Sequence, residues 1–208
     1  MKKGLLITFE GLDGSGKTTQ IQKFIENLNE AGLDYQLFRE PGGTELGEKI
    51  RDLLLDKNHH TMSDVTELLL YSSSRNQLCI EKIQPALKNN KVVICDRFYD
   101  STTAYQGYAR GLDLDFIKEL NLIAADNLIP DLTFLLDIDL KERNVRLNHK
   151  KLDRLEQEKM EFHKKVRYGF LKMAEDNSER FVLIDGSEPI EIISKIIWDR
   201  FQKILPGV

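Results

Sequence analysis

The sequence predicts an α/β fold in which a five-stranded parallel sheet is covered by helices on both faces. Short apolar runs of strand length alternate along the 208 residues with segments whose apolar residues recur every three or four positions. A glycine-rich loop also joins the first apolar run to the first helical segment, which indicates a strand–loop–helix unit. The length suits one full-sized domain, so we expect residues 1–208 to form a single domain.

Five apolar runs are predicted to be the strands of the sheet. In chain order they are Leu5–Phe9, Tyr35–Phe38, Val92–Cys95, Leu132–Ile138 and Phe181–Ile184. The second run is the weakest, and it ends at a sharp turn that reads REPGG. Ligands of open parallel sheets bind at the carboxyl ends of the strands, so the residues after each run are the first candidates for a site.

Helical segments fill the intervals between these runs. Glu67–Leu87 has helical character, and three other segments carry an apolar stripe that we expect to face the core. The stripes are Ile21, Phe24, Ile25 and Leu28, closed by Gly32; then Leu46, Ile50, Leu53 and Leu54; and last Ile190, Ile193, Ile197, Phe201 and Ile204, opened near Pro189.

Composition excludes several classes of protein. The net charge of −4 argues against a nucleic-acid-binding module, which is usually basic. No apolar run approaches the ~20 residues that cross a bilayer, so we expect no membrane partner. Cys79 and Cys95 are isolated, which indicates reduced, buried thiols in a cytoplasmic protein.

The loop GLDGSGKT, residues 11–18, fits the phosphate-loop pattern G-x-x-x-x-G-K-[ST] in its required strand–helix context. It predicts a P-loop NTPase fold whose backbone amides hold the phosphates of ATP, while Lys17 reaches the β- and γ-phosphates. Thr18 would ligate Mg²⁺, together with Asp96 at the end of the third strand. The predicted ATP-binding residues are Gly11, Leu12, Asp13, Gly14, Ser15, Gly16, Lys17 and Thr18.

A donor site alone leaves the reaction open. The base-reading N-K-x-D motif of GTPases is absent. The apolar strand that ends at Asp96 also suits an ATP-driven switch or assembly factor, so that alternative stands beside a phosphate transferase.

Arginines predict a second anionic ligand beside the first. Arg97 follows Asp96 directly at a strand end, Tyr71 and Arg75 share one helix face, and Arg51 lies just beyond REPGG. Arginine forks match phosphate oxygens, and Tyr71 offers a ring that stacks on a base. The histidines, at 59, 60, 149 and 163, are expected on the surface or in a lid.

A deoxynucleoside kinase is the main competing transferase. It would phosphorylate a sugar hydroxyl, which requires a carboxylate base, and Glu40 at the end of the second strand suits that role. A phosphate monoester is largely a dianion at pH 7 and needs no such base, because its second pKa is near 6. The arginines favour an acceptor that already carries phosphate.

Several blocks of the chain resemble bacterial thymidylate kinases, a family that transfers the γ-phosphate of ATP to dTMP. In order they are FEGLDGSGKTTQ, REPGGTELGEKIRDLLL, ELLLYSSSRNQ, DRFYDSTTAYQGYARG and LDRLEQEKMEFHKKV. The resemblance covers nearly the whole chain and implies a homodimer with Mg²⁺ as cofactor. Two departures are Tyr71, where the family usually has Phe, and DRF in place of the commoner DRY.

The resemblance also implies a role for each matching residue. Asp13 would lie near Mg²⁺ and the acceptor's 3′-hydroxyl, and Arg97 would hold the acceptor phosphate. Tyr105 would lie against C2′ of the sugar and disfavour a ribose. The remaining substrate-binding residues would be Arg51 facing the nucleotide, Tyr71 stacking on thymine, Arg75 at a base carbonyl, and Thr102 and Gln106 at the base edge.

A basic segment, residues 141–155, would then form a small helical lid over ATP. Since Gly14 brings no charge to the phosphate loop, the catalytic cation beyond Lys17 must come from elsewhere. Arg154, in DRLEQE, is the expected source, with Arg143, Arg146 or Lys151 as possible substitutes. Asp13, Lys17, Arg97 and Arg154 are thus the predicted catalytic residues.

Overall fold

The computed structural model describes residues 4–148 and 152–205. Its five strands form one sheet in the order β2-β3-β1-β4-β5, and every neighbouring pair is parallel. The strands are β1 (Leu5–Glu10), β2 (Tyr35–Arg39), β3 (Val92–Asp96), β4 (Leu132–Asp137) and β5 (Phe181–Asp185). The predicted parallel sheet is confirmed, and each strand ends within about one residue of its expected bounds.

Helices connect the strands and cover both faces of the sheet. They are α1 (Lys17–Glu30), α2 (Glu45–Leu55), α3 (Asp64–Leu78), α4 (Gln84–Lys88), α5 (Tyr99–Thr102), α6 (Leu114–Ala124), α7 (Leu140–Leu147), α8 (Met160–Asp176) and α9 (Ile190–Gln202). A single 3₁₀ turn covers Lys57–His59. Wider π-type turns at Cys79–Ile83 and Thr103–Ala109 continue α3 and α5, so the helical character predicted for 67–87 is confirmed.

The core has a layer on each face of the sheet. On one face, α1 and α9 close over a cluster that contains Phe9, Phe24, Phe134 and Phe201, whose rings meet in tilted or edge-on contacts. Alternate residues of the same strands, such as Leu6 and Val93, point to the other face. The first predicted stripe, on α1, is buried throughout, as its helical spacing requires.

Three predictions about burial were wrong. Of the predicted stripe on α2, Ile50 and Leu54 are buried, but Leu46 and Leu53 are exposed because that helix packs mainly on one neighbour, α3. Ile190, at the first turn of α9, is exposed. His163, on α8, is buried rather than on the surface.

β1 lies between β3 and β4 in the sheet. The strands that follow β1 in the chain are first added on one side of it, as β2 and β3, and then on its other side, as β4 and β5. Crevices form at the carboxyl ends of strands where the order reverses in this way. The phosphate loop follows β1, and Arg97 follows its neighbour β3, which places both at this crevice. None of the helices in residues 4–148 and 152–205 has the length and apolar character needed to span a membrane.

Candidate active site

The loop between β1 and α1 has the conformation that its glycines permit. Gly11, Gly14 and Gly16 have φ angles of 133°, 82° and 97°, in the region that disfavours residues with a side chain. A Cβ on Gly11 would approach the carbonyl oxygen of Leu136 to 2.3 Å, so the backbone itself requires glycine there. The result is a turn whose amides lead into the N-terminus of α1, as an anion site requires.

Lys17 is the first residue of α1 and folds back over this loop. Its Nζ donates hydrogen bonds to the carbonyl oxygens of Gly11 and Leu12, each at 3.0 Å. Burial and the nearby charge of Arg97 lower the pKa of the Lys17 ammonium to about 8. The side chain is thus a buried cation already placed at the loop.

One cavity of about 470 Å³ connects this loop to the acceptor region. Of the predicted site residues, those on its lining are Asp13, Gly14, Gly16, Lys17, Thr18, Arg51, Tyr71, Asp96, Arg97, Thr102, Tyr105 and Gln106. The backbone residues Gly11, Leu12 and Ser15 form the loop behind them. Arg75 and Arg154 do not line the cavity.

Arg97 joins the two ends of the cavity. Its φ angle is 71°, unusual for a residue with a side chain. Nη1 donates to the carbonyl of Gly11 at 3.0 Å, Nη2 pairs with Asp13 at 2.6 Å, and the guanidinium lies 5.4 Å from the centre of the Tyr105 ring. Burial alone would raise the pKa of Asp13, but Arg97 and Lys17 hold it well below its usual range.

Sequence reasoning missed Glu10, the last residue of β1, which holds the turn that carries Arg97. Its carboxyl accepts hydrogen bonds from the Phe98 amide at 2.7 Å and the Ser101 hydroxyl at 2.6 Å. Burial and the nearby charge of Asp100 raise its pKa to about 7. The available signal was an acidic residue at the end of an otherwise apolar strand, directly before the glycine loop.

The acceptor end is formed by Arg51, Tyr71, Thr102 and Gln106. Arg51 donates to the carbonyl of Pro41 at 2.8 Å, which fixes it beside the REPGG turn. Tyr71 is half-buried on α3 and presents its ring to the cavity. These side chains come from separate segments, yet they meet on one wall as expected.

Arg75 lies behind that wall and is only 1% exposed. It donates to Glu40 at 2.8 Å, to Asn121 at 3.2 Å and to the Thr102 hydroxyl at 2.9 Å. Its predicted contact with a base carbonyl therefore depends on the N–H groups left over on its terminal nitrogens. Glu40, the base that a sugar kinase would need, is engaged in this ion pair.

The lid segment places its cations differently from the prediction. Arg154 is held away from the phosphate loop: its Nη2 pairs with Glu67 at 2.6 Å, and its Nε donates to the carbonyl of Leu54 at 2.8 Å. Arg146, on α7, donates instead to the carbonyls of Gly14 at 3.1 Å and Gly186 at 3.0 Å, and it lines the cavity. Arg146 therefore occupies the position that the prediction gave to Arg154.

Two other basic side chains in or near the lid segment, Arg143 and His163, are buried. Arg143 is buried on α7, where its Nε and Nη2 have no hydrogen-bond partner among the described residues. His163, whose two ring nitrogens likewise lack a partner there, has a pKa lowered by burial and by the charge of Arg143. His149, Lys150 and Lys151 lie outside the described residues.

The predicted magnesium ligands lie together at the donor end of the cavity. Thr18 and Asp96 line it beside Lys17, and none of the described residues donates a hydrogen bond to the Asp96 carboxylate. Within residues 4–148 and 152–205 no cluster of three or more His, Cys, Asp or Glu side chains forms an all-protein metal site. This donor set fits Mg²⁺, which usually takes one or two protein ligands together with water and phosphate oxygens.

Comparison with known proteins identifies close relatives. The family model described as thymidylate kinase matches residues 9–197. The chain is 49% identical over 205 residues to a thymidylate kinase of Caldanaerobacter subterraneus, covering 99% of this chain and 98% of that one. It is also 49% identical over 203 residues to one from Thermoanaerobacter sp. strain X514, covering 98% and 100%.

A solved structure shows the same fold. The crystal structure of thymidylate kinase from Ehrlichia chaffeensis superposes with a TM-score of 0.80 at 36% identity, covering 96% of this chain and 99% of that one. The similarity therefore extends well beyond the phosphate loop, over nearly the whole length of the chain.

Proposed function

The chain belongs to the thymidylate kinase family, and from that premise we propose how its residues carry out the family's reaction. The enzyme transfers the γ-phosphate of ATP to dTMP, which gives dTDP and ADP. The observation that carries the residue assignments is a single cavity of about 470 Å³ that joins a phosphate loop to an arginine- and tyrosine-lined pocket.

At the donor end, the amides of residues 11–18 and the Lys17 ammonium hold the phosphates of ATP. Lys17 needs no large movement, because its Nζ already lies over the loop, 3.0 Å from two of its carbonyls. Mg²⁺ would be held by Thr18 and Asp96, with Asp13 acting through water. When bound, the ion neutralises phosphate charge and aligns the transferred group.

At the acceptor end, Arg97 and Arg51 bind the phosphate of dTMP. That phosphate is largely a dianion at pH 7, so its oxygen attacks without a general base. The main obstacle is the repulsion between two anions, and buried guanidiniums reduce it while orienting the attacking oxygen. Arg97 suits this role because its backbone turn and its pair with Asp13 hold it between the proposed site of the ATP phosphates and that of the dTMP phosphate.

The remaining contacts select the nucleoside. Tyr71 stacks on the base, and Thr102 and Gln106 meet its edge. Arg75 acts on that edge indirectly, by donating to the Thr102 hydroxyl from behind the wall. Tyr105 is buried with its hydroxyl 3.4 Å from Asp13, so its ring fills the space beside C2′ and disfavours a ribose.

Arg146 supplies the second cation for the migrating phosphoryl group. This assignment replaces Arg154, because Arg146 bonds to the phosphate loop itself whereas Arg154 is tied to Glu67 and Leu54. An arginine at this position stabilises the negative charge that spreads over the equatorial oxygens in the transition state.

The assembly proposed is a homodimer. Three neighbouring helices carry exposed apolar side chains, namely Leu46 and Leu53 on α2, Val65 and Leu69 on α3, and Phe116 and Ile123 on α6. A patch of this kind is typical of a protein interface. A second copy of the chain is the partner that the family resemblance implies.

We also propose that residues 1–208 act as one domain in the cytoplasm. All described strands belong to one sheet, which supports a single folding unit. Cys79 and Cys95 are free and buried, as predicted, and a reducing compartment keeps thiols in that state.

The test is an acceptor panel with ATP and Mg²⁺. We expect dTDP to form from dTMP, thymidine to remain unphosphorylated, and ATP turnover to require an acceptor. Phosphorylation of thymidine with dTMP untouched would indicate a deoxynucleoside kinase, and turnover without any acceptor would indicate an ATP-driven switch.

A further inference from the structure

Glu67, on α3, is a buried carboxylate just behind the acceptor wall. It is 1% exposed and does not line the cavity. Its Oε1 accepts a hydrogen bond from Gln106 Nε2 at 2.8 Å and one from Arg110 Nε at 3.2 Å. Its Oε2 accepts from Arg110 Nη2 at 3.1 Å and pairs with Arg154 Nη2 at 2.6 Å.

This carboxyl is ionised in the folded protein. Burial alone would raise its pKa, but hydrogen bonds from Arg110 and Gln106, together with the charges of Arg110 and Arg154, lower the pKa below its ordinary value. An ionised carboxylate can only accept hydrogen bonds. The end of the Gln106 amide that faces Glu67 must therefore be the NH₂ group.

The orientation of one amide group then follows from its neighbour. The oxygen and nitrogen of a carboxamide lie at opposite ends of a plane, so the Gln106 oxygen is directed away from Glu67. Gln106 lines the cavity, and within the described part of the chain no group donates a hydrogen bond to its Oε1. An acceptor oxygen is thus available to a ligand.

A donor lies beside this acceptor. The Thr102 hydroxyl oxygen accepts from Arg75 Nη2 at 2.9 Å, so its own hydrogen remains free to donate into the cavity that Thr102 lines. The wall consequently offers one donor and one acceptor to the edge of a bound base. A base that carries a ring N–H next to a carbonyl matches that pair.

We propose that Glu67 is a positioning residue that sets the base selectivity of the enzyme by fixing the amide orientation of Gln106. Thymine and uracil present N3–H and O4 and match the wall. Cytosine presents a lone pair at N3, which cannot pair with the Gln106 oxygen because both groups only accept. This inference rests on the proposed function, because it takes the base to lie against Tyr71, Thr102 and Gln106.

The test substitution is Glu67→Gln. The shape of the side chain is kept, but a carboxamide at position 67 can donate as well as accept, so both orientations of Gln106 become satisfiable. We expect the ratio of kcat/KM for dTMP over dCMP to fall by at least about tenfold, because a site built to pair a polar group rejects the wrong one strongly. The ratio of dTMP over dUMP, whose edges are identical, should stay unchanged.

Glu158→Gln is the matched control. Glu158 pairs with Arg110 Nη1 at 2.6 Å on the far side of the same cluster and has no contact with Gln106. The same chemical change there should leave the dTMP over dCMP ratio intact. If Glu67→Gln lowers kcat/KM for both acceptors by the same factor, Glu67 has only a structural role and the proposal is overturned.

Gln106→Leu separates this inference from the function on which it rests. An unchanged ratio in Gln106→Leu would show that the base does not meet Gln106, and the proposed acceptor assignment itself would fail. If the dTMP over dCMP ratio falls in Gln106→Leu but stays unchanged in Glu67→Gln, the proposed role of Glu67 is overturned while the acceptor assignment stands.

If Glu67→Gln does not fold, the wild-type enzyme provides a second measurement. The side-chain NH₂ of Gln106, followed by NMR, should exchange with water far more slowly than that of the exposed Gln157. Equal exchange rates would mean that the amide nitrogen is not held by Glu67, which would overturn the proposal.

Discussion

Arg97 has an uncommon backbone conformation, and its guanidinium bonds to the phosphate loop. It holds a carbonyl of the phosphate loop and pairs with Asp13 inside the loop. Strained backbone persists only where the surroundings hold it, and here Glu10 does so through the Phe98 amide. Glu10 thus helps to hold Arg97 against the phosphate loop.

We expect Arg97→Ala to lower kcat/KM for dTMP by a factor equivalent to about 2–5 kcal/mol of transition-state stabilisation. The reason is that the substitution removes the buried guanidinium that binds the anionic acceptor. The KM for ATP should change much less, since Lys17 and the loop amides remain. Steady-state kinetics with each substrate varied measures both effects. Arg97→Lys is the control, and it should recover part of the loss because it restores the charge without the fork. A larger loss for ATP than for dTMP would move Arg97 to the donor site.

Glu10 gives a prediction about pH. Its pKa is raised from 4.5 to about 7, so between these pH values the folded protein holds a proton that the unfolded chain has released. The free energy of unfolding therefore falls as pH rises through this window. Glu10→Gln mimics the protonated carboxyl: its oxygen can accept from the Phe98 amide, and its NH₂ group can donate to the Ser101 hydroxyl. We expect this substitution to abolish the fall in unfolding free energy across the window, which is on the order of 3 kcal/mol in the wild type.

Urea unfolding at pH 5, 6, 7 and 8 measures this dependence. The exposed Glu179→Gln is the control, and its curve should run parallel to that of the wild type. If Glu10→Gln also runs parallel to the wild type, Glu10 is ionised throughout this range and the predicted dependence is absent.

Among the helices and turns, α7 is the element that brings a lid-segment arginine to the phosphate loop. Arg146 lies on the α7 face toward the phosphate loop, and its guanidinium bridges the carbonyls of Gly14 and Gly186. Arg154 follows α7 in the chain but lies in a turn that packs on α2 and α3. Both are lid-segment arginines, and the local fold separates their roles.

We expect Arg146→Ala to lower kcat by ~10²-fold with little change in KM for dTMP, because an arginine at the migrating phosphoryl acts mainly in the transition state. Arg154→Ala is the matched comparison, and it should mainly lower the midpoint of thermal unfolding, since it removes a buried ion pair with Glu67. Rapid-quench or steady-state kinetics and thermal unfolding measure the two effects. The reverse result would return Arg154 to the catalytic role predicted from sequence.

At the scale of the whole molecule, the exposed apolar residues of α2, α3 and α6 predict the assembly. Ile123 is 70% exposed on α6, beside the patch on α3. We expect Ile123→Lys to convert a dimer into a monomer of 24.1 kDa, because a lysine in an apolar interface loses its hydration without a partner. Sedimentation analysis at micromolar concentration measures the mass.

Ile192→Lys is the control for that change. Ile192 is also exposed, but it lies on α9 at the opposite end of the strand order. Its substitution should leave the dimer intact. A monomeric wild type, or equal dissociation by both substitutions, would show that the α2–α3–α6 patch has another purpose.

The strands, the first helix stripe and the phosphate-loop end of the cavity follow from the sequence alone. These features are local: alternation, helical spacing and the glycines of residues 11–18 all act within about twenty neighbouring residues. Even the convergence of Arg97 with the phosphate loop followed from a general property of parallel sheets, whose carboxyl ends meet at one edge.

The positions of several other side chains depend on tertiary packing. Arg75 lies behind the wall rather than on it, His163 is buried, Leu46 and Leu53 are exposed, and Arg146 rather than Arg154 contacts the phosphate loop. Each of these outcomes depends on which distant segment lies opposite the residue. Arg154, for example, pairs with Glu67, which comes from a separate helix far earlier in the chain. Spacing along a chain carries no information about such partners, because the packing of the elements sets them.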